Sequence, residues 1–152
     1  MSARSHKIRV GQVEIYAEDT GQGSPALVFL HYWGGSRRTW SGVVEQLSDR
    51  FRCIAVDLRG WGKSDRHNED YNLFTQADDV EGVIEELNLM DFVFVGHSMG
   101  GKIAQILAGR RPVGLPAVVL VAQLRLHLLT SPTHRSNPCS IVTQRQRESE
   151  TL

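Results

Sequence analysis

The sequence predicts an α/β fold with a mostly parallel, doubly wound sheet. Short apolar segments recur at residues 26–30, 52–56, 92–95 and 117–121, and each is too short for a typical helix. Such segments are typical of strands buried on both faces of a parallel sheet. Helical patterns lie between them, and the alternation of strand and helix selects this fold class.

A hairpin is predicted before the first of these strands. Apolar and polar residues alternate in residues 8–10 and 13–17, on either side of a Gly-Gln turn, and a segment with glycine and proline follows at residues 21–25. This pattern favours two antiparallel strands that open the sheet.

Three helices are predicted between the later strands. The first follows Ser36 as its N-cap and carries an apolar stripe at helical spacing: Trp40, Val43, Val44 and Leu47. The second has a similar stripe over residues 80–87 and starts at the capping-box pattern of residues 75–78. The third begins near Ser98 and ends at the Gly-Arg-Arg-Pro of residues 109–112.

The composition indicates one domain without a strong net charge. The chain has 152 residues, with 17 Lys plus Arg and 17 Asp plus Glu, so no global field attracts nucleic acid or anionic lipid. We therefore expect neither a nucleic acid nor a membrane as partner. Cys53 and Cys139 form no disulfide framework, and the sequence shows neither a secretory signal nor a long apolar span. We predict a cytoplasmic protein.

The candidate nucleophile is Ser98. Residues 96–100 read GHSMG and lie between a predicted buried strand and a predicted amphipathic helix. In that context G-x-S-x-G predicts a sharp turn that exposes the serine hydroxyl, with glycines where a Cβ would clash. The helix N-terminus supplies backbone N–H groups for an oxyanion. The alternative interpretation is an ordinary turn of small residues.

Two further motifs accompany this nucleophile elbow. Residues 31–36 read HYWGGS and resemble an H-G-x-x-G loop, and residues 57–65 read DLRGWGKSD and resemble a D-x-R-G-x-G-x-S motif. The three motifs stand in the order found in the α/β-hydrolase family, which the chain resembles over about residues 7–122. The resemblance implies a sheet of α/β-hydrolase type, truncated after about the sixth strand.

The resemblance also implies roles in a candidate site. Ser98 matches the nucleophile, and the backbone N–H groups of Met99 and Trp33 match the two donors of an oxyanion hole. Tyr32 stands where the family usually has glycine. A serine nucleophile resembles the esterase, lipase, acyl-transfer and cofactor-free haloperoxidase-like members. It implies acyl-enzyme chemistry on a small ester-like substrate, with no cofactor and no metal.

Other polar residues near these motifs are predicted to be structural. His31 is expected to brace its loop by hydrogen bonds, and the side chain of His97 is expected to point away from the nucleophile. Asp57, Arg59 and Asp65 are expected to fix the loop after the fourth strand.

The acid and the histidine of a serine triad are not found where the resemblance places them. In this family both follow the nucleophile, the acid first. The later candidates come in the opposite order: His127, His134, Glu148 and Glu150. We therefore expect no base within reach of Ser98 and predict an inactive chain that descends from serine hydrolases. The alternative is a non-catalytic remnant or frameshifted fragment with no independent function.

The character of the chain changes after Ala122. Residues 123–152 contain no glycine, alanine, aspartate, lysine or aromatic residue, a composition that favours disorder. We interpret residues 1–122 as a partial domain and residues 123–152 as a non-homologous tail, created by a frameshift or premature boundary, without helix or strand beyond Leu129. The sixth strand would then leave an exposed edge for self-association.

Nucleotide binding is a further hypothesis. Residues 62–64 read GKS, as at the end of a phosphate-binding loop, but the first glycine of that motif would fall at Asp57, whose charge repels phosphate. Metal binding has no support, since His31, His67 and His97 lack ligand-like spacing.

Overall fold

The computed structural model describes residues 3–66, 71–122 and 140–144, the last of these by its backbone alone. The strands in this part of the chain are β1 Arg4–Val10, β2 Val13–Asp19, β3 Ala26–Leu30, β4 Arg52–Asp57, β5 Phe92–His97, β6 Ala117–Val121 and β7 Ser140–Gln144. The helices are α1 Ser41–Leu47, directly after a 3-10 turn at Arg37–Trp40, α2 Leu73–Glu86 and α3 Met99–Gly109. None of these helices has the length and apolar character needed to cross a membrane.

The strands form one sheet in the order β1-β2-β4-β3-β5-β6-β7. β1 and β2 pair antiparallel as a hairpin, and β2 pairs antiparallel with β4. The pairs β3–β4, β3–β5 and β5–β6 are all parallel. The predicted opening hairpin and the predicted mostly parallel sheet are both confirmed.

Helices cover both faces of the sheet. Leu30 of β3 belongs to the core that also contains residues of α2 and α3, while the preceding Phe29 belongs to a second cluster with Trp40. Successive residues of a strand point to opposite faces, so one strand contributes to both cores. Val44 and Leu47 of α1 pack against the second cluster, which places α1 on the face opposite to α2 and α3.

The predicted start of α2 is wrong by one turn. The helix begins at Leu73 rather than at the capping-box pattern of residues 75–78, because Asn72 is the N-cap. Its side-chain oxygen accepts hydrogen bonds from the backbone N–H groups of Phe74 and Thr75, both at 2.9 Å. Asparagine is among the strongest N-cap residues, and here its side chain satisfies two N–H groups of the first turn.

The predicted apolar stripe of the first helix is only partly correct. Ser36 caps the segment as expected, since its hydroxyl accepts a hydrogen bond from the Arg38 N–H at 3.3 Å. Val43, however, is 39% exposed. The segment starts as a 3-10 turn that ends at Trp40, and this tighter winding rotates the later residues relative to a continuous α-helix.

A strand also forms where the sequence predicted disorder. β7 pairs in parallel with all five residues of β6, so the prediction of no strand beyond Leu129 is wrong at 140–144. Residues 141–143 read IVT, and β-branched residues favour an extended backbone next to an open strand edge. The edge of β6 is therefore covered, and self-association stays a prediction. Residues 123–139 and 145–152 lie outside the described residues.

Candidate active site

The three sequence motifs meet at one end of the sheet, where β3, β4 and β5 finish. β3, β4 and β5 are mutually parallel neighbours, so the loops that follow them leave the sheet at the same end. These loops carry the HYWGGS, DLRGWGKSD and GHSMG segments. Crevices outside the carboxyl ends of parallel strands are the usual ligand sites of open α/β sheets.

Ser98 lies at the tip of the turn between β5 and α3 and is exposed to solvent. Its backbone has φ 49° and ψ −110°, a combination that residues other than glycine seldom adopt. The turn is held on both sides, because the Ser98 N–H donates to the Val121 carbonyl at 3.2 Å and the Ser98 carbonyl accepts from the Lys102 N–H at 3.1 Å. Such strain, on the order of 1–3 kcal/mol, persists only where the surrounding structure imposes it.

Two flanking glycines allow this turn to pack. A Cβ on Gly96 would lie 2.5 Å from the Gly100 carbonyl oxygen, and a Cβ on Gly100 would overlap the backbone carbonyl of Leu30. Both obstacles are backbone atoms, which cannot rotate away as a side chain can. The predicted steric reason for the two glycines is therefore confirmed.

The two predicted oxyanion donors lie in adjoining loops. Met99 is the first residue of α3, and Trp33 follows β3, whose Leu30 pairs with Gly96 of β5. The Gly100 N–H donates to the His31 carbonyl at 3.1 Å and joins the two loops directly. The roles of the Met99 N–H and the Trp33 N–H toward a substrate stay predictions.

His31 braces two loops from the interior. It is fully buried, and its Nε2 accepts a hydrogen bond from the Leu58 N–H at 3.0 Å. Its Nδ1 lies 2.7 Å from the Tyr32 carbonyl oxygen and must donate to it, which defines a neutral ring protonated at Nδ1. Burial lowers the pKa of His31, against a smaller raising effect of the Tyr32 hydrogen bond. His31 thus has the bracing contacts that the sequence predicted.

We expect His31 to make the protein less stable in mild acid. Because its folded pKa is depressed below the ordinary value, the unfolded chain binds the proton more readily. The free energy of unfolding should fall by up to about 1.4 kcal/mol per pH unit as the pH drops below about 6.5. Urea titrations at several pH values between 7.5 and 5 give the free energy of unfolding as a function of pH. We expect this free energy to fall less steeply with pH in His31→Gln than in the wild type, because the glutamine amide can keep both hydrogen bonds without titrating. Equal slopes would contradict this expectation.

Asp57 organises the loops after β3 and β4. Its carboxylate is fully buried and accepts from the Arg37 N–H at 2.7 Å, the Arg37 guanidinium at 2.8 Å and the Lys63 N–H at 2.9 Å. A Cβ on Gly62 would overlap this carboxylate. The position that a phosphate would need near Lys63 is thus filled by a negative charge, which argues against nucleotide binding.

The remaining polar residues of the second motif also make internal contacts. Arg59 forms a two-pronged ion pair with the buried Asp79 of α2, with both N–O distances at 2.7 Å. Asp65 accepts a hydrogen bond from the Glu14 N–H at 2.8 Å. These contacts fix the loop after β4 against α2 and β2, as the sequence predicted for Arg59 and Asp65.

Aromatic side chains surround the elbow. Tyr32, at the position where glycine was expected, packs edge-on against the ring of His97, with ring centroids 5.1 Å apart. Trp33 packs edge-on against Trp61 of the second motif at 4.9 Å, and Trp61 in turn contacts His31 at 5.8 Å. The Trp33–Trp61 contact was not predicted, since no local sequence pattern relates two residues on different loops.

The described residues after Ser98 include no catalytic acid or histidine. Residues 99–122 and 140–144 contain no aspartate, glutamate or histidine. The later candidates His127, His134, Glu148 and Glu150 lie outside the described residues. Cys53 is buried, and burial raises its pKa to about 11, which makes it a poor nucleophile. No cluster of metal-ligating side chains occurs among the described residues.

The chain belongs to the alpha/beta hydrolase fold family. The model of that family matches residues 25–144, which extends past the predicted boundary at residue 122. The chain is 45% identical over 93 residues to the AB hydrolase superfamily protein YisY of Bacillus subtilis, covering 60% of this chain and 34% of that protein. It is 37% identical over 99 residues to the sn-1-specific diacylglycerol lipase ABHD11 of Mus musculus, covering 64% and 32%.

The fold agrees with that of a solved hydrolase. The crystal structure of E-2-(acetamidomethylene)succinate hydrolase superimposes with a TM-score of 0.74 at 30% identity, covering 80% of this chain and 45% of that one. The chain spans about a third of the two curated relatives and less than half of the solved structure. Residues 25–144, which the family model matches, include the three loops described above.

Proposed function

We propose that the chain carries the nucleophile and oxyanion hole of a serine hydrolase for small, ester-like substrates. The strained, exposed Ser98 at the start of α3 carries the proposal. Two observations support it. The positions of Gly96 and Gly100 leave no room for a larger residue, and a hydrogen bond from the Gly100 N–H joins the loop of Trp33 to the turn that carries Ser98. The family includes a lipase among the relatives of this chain, which fits ester chemistry.

The chemistry follows from the positions of three groups. The Ser98 hydroxyl oxygen attacks the ester carbonyl carbon, its proton passes to a base, and the carbonyl oxygen becomes an oxyanion. The backbone N–H groups of Met99 and Trp33 would donate to that oxyanion, whose charge the N-terminus of α3 also favours. The oxyanion then collapses and breaks the bond to the alcohol oxygen, which takes the proton from the base and leaves as the alcohol. Water hydrolyses the acyl-enzyme that remains on Ser98.

We expect this chain to hydrolyse esters only slowly. The described residues after Ser98 supply no base, and a serine hydroxyl without its base is a weak nucleophile. In subtilisin, loss of the catalytic histidine lowers turnover by roughly a million-fold. The competing proposal, a non-catalytic remnant, predicts no reaction at Ser98 at all.

A fluorophosphonate probe tests the proposal. We expect slow covalent labelling of the full chain at Ser98, and faster labelling when imidazole is added as a substitute base. Labelling should disappear in Ser98→Ala and persist in Ser41→Ala, which removes another exposed serine. Mass spectrometry of the labelled peptide locates the modified residue.

Two outcomes would contradict the proposal. One is labelling of equal rate in wild-type protein and Ser98→Ala, which would place the reactive group elsewhere. The other is a folded chain that stays unlabelled even with imidazole, which would favour the non-catalytic alternative. A small-molecule substrate belongs to the same proposal through the serine nucleophile. The proposed cytoplasmic location rests on the cysteine content of the sequence.

A further inference from the structure

Trp33 and Trp61 form an aromatic corner at the candidate site. Their ring centroids are 4.9 Å apart and their planes meet at 72°. Two nearly perpendicular rings offer one face for stacking and one edge or face for a T-shaped contact, the two arrangements that aromatic pairs prefer. The corner is therefore shaped for a flat ring.

The corner is open to solvent, unlike the other tryptophan of the chain. Trp40 is 6% exposed and belongs to a core cluster, whereas Trp33 is 67% exposed. Trp61 is half-buried, and its ring contacts those of His31 at 5.8 Å and Tyr71 at 6.4 Å. The exposed ring of Trp33 is therefore available to a ligand, with the partly exposed ring of Trp61 beside it.

Charges on the loop that carries Trp61 are already engaged. Arg59 is paired with Asp79, and the Lys63 ammonium lies 4.7 Å from the centre of the Tyr16 ring. Asp57 is buried against Arg37, and Asp65 accepts a hydrogen bond from the Glu14 N–H. The loop thus presents aromatic surface rather than an available charge, which favours an uncharged ligand group.

We propose that the aromatic corner of Trp33 and Trp61 binds a planar, uncharged aromatic group of the substrate, adjacent to the carbonyl that Ser98 attacks. The placement beside that carbonyl uses the backbone N–H of Trp33, which the proposed function assigns to the oxyanion. This inference rests on the proposed serine hydrolase function and names a substrate class for it, the aromatic esters. An aromatic ring in the corner stacks on one indole and meets the other at its edge.

A titration of Ser98→Ala tests the corner without any chemistry. The three tryptophans give three indole N–H signals in a nitrogen–proton correlation spectrum, which single Trp→Leu variants assign. Phenyl acetate and cyclohexyl acetate serve as matched ligands that differ in aromaticity. We expect phenyl acetate to shift the signals of Trp33 and Trp61 but not that of the buried Trp40, with an affinity about three- to ten-fold higher than that of cyclohexyl acetate.

Trp33→Leu should abolish the preference for phenyl acetate. Val113→Ala, which removes an apolar side chain that is 85% exposed before β6, should leave it unchanged. Equal affinities for the two esters, a preference that survives Trp33→Leu, or no shift of Trp33 and Trp61 would each overturn the proposal. Because Ser98→Ala has no nucleophile, this result is independent of the fluorophosphonate result, and either proposal can fail alone.

Discussion

Replacing Gly100 with alanine should lower the free energy of unfolding by about 3 kcal/mol. The new Cβ would overlap the Leu30 carbonyl and lie 2.7 Å from the His31 carbonyl oxygen. Since these are backbone atoms of the central strand and its loop, α3 must move away from β3. That movement would stretch the 3.1 Å hydrogen bond from the Gly100 N–H to His31 and displace Ser98 from the loop of Trp33. Urea titration followed by circular dichroism measures the loss.

Gly42→Ala is the matched control for this substitution. Gly42 lies in α1, where an added Cβ meets no atom within 4 Å. Alanine is better than glycine in a helix by roughly 0.5–1 kcal/mol, so this variant should be slightly more stable than the wild type. A loss of similar size in both variants would show that close packing at Gly100 is not the cause.

The sequence predicted the sheet because its strands carry local signals. The apolar segments of β3 and β5 are continuous, and the structure buries them between helices on both faces. The glycines of the elbow could also be interpreted from the sequence, since the steric demand that they meet arises within a few residues. Period and turn chemistry are local properties, and local properties are what a single sequence displays.

Features that depend on distant partners were predicted less well. Asn72 and Thr75 are both good N-cap residues, and the choice between them depends on where the incoming loop lies. β7 forms beside β6 although its segment is short and lies within a polar sequence, because pairing depends on the neighbouring edge. The Trp33–Trp61 corner joins two loops and has no sequence signal of its own.

The candidate site divides in the same way. The resemblance supplied Ser98, Met99 and Trp33, and the structure places their loops together without testing their chemistry. His31 was expected to brace its loop, yet its bond to the Leu58 N–H could not be foreseen, because that partner comes from the next motif. The hydrogen-bonding network behind a site is a tertiary property, so sequence motifs indicate its members better than its geometry.

Replacing Asp57 with alanine should lower the free energy of unfolding by at least as much as Gly100→Ala does. Removal of the carboxylate leaves the Lys63 N–H and the Arg37 N–H without their acceptor. Among the described residues, the Arg37 guanidinium, whose side chain is 7% exposed, then keeps Glu18 as its ion-pair partner. Breaking one side of a buried ion pair typically costs about 3–5 kcal/mol, because the remaining charge stays buried. Urea titration should show this loss.

Asp78→Ala tests whether burial of the ion pair, rather than ion pairing itself, causes the loss of stability in Asp57→Ala. Asp78 pairs with Arg110 at 2.7 Å, a distance close to that of the buried pair, but its side chain is 61% exposed. Exposed pairs contribute about 0–1 kcal/mol, so this control should change stability little.

Asp57→Ala should also slow Ser98 labelling, since Asp57 anchors the end of the loop that carries Trp33. Labelling at the wild-type rate in a folded Asp57→Ala chain would show that the loop holds its position without this anchor.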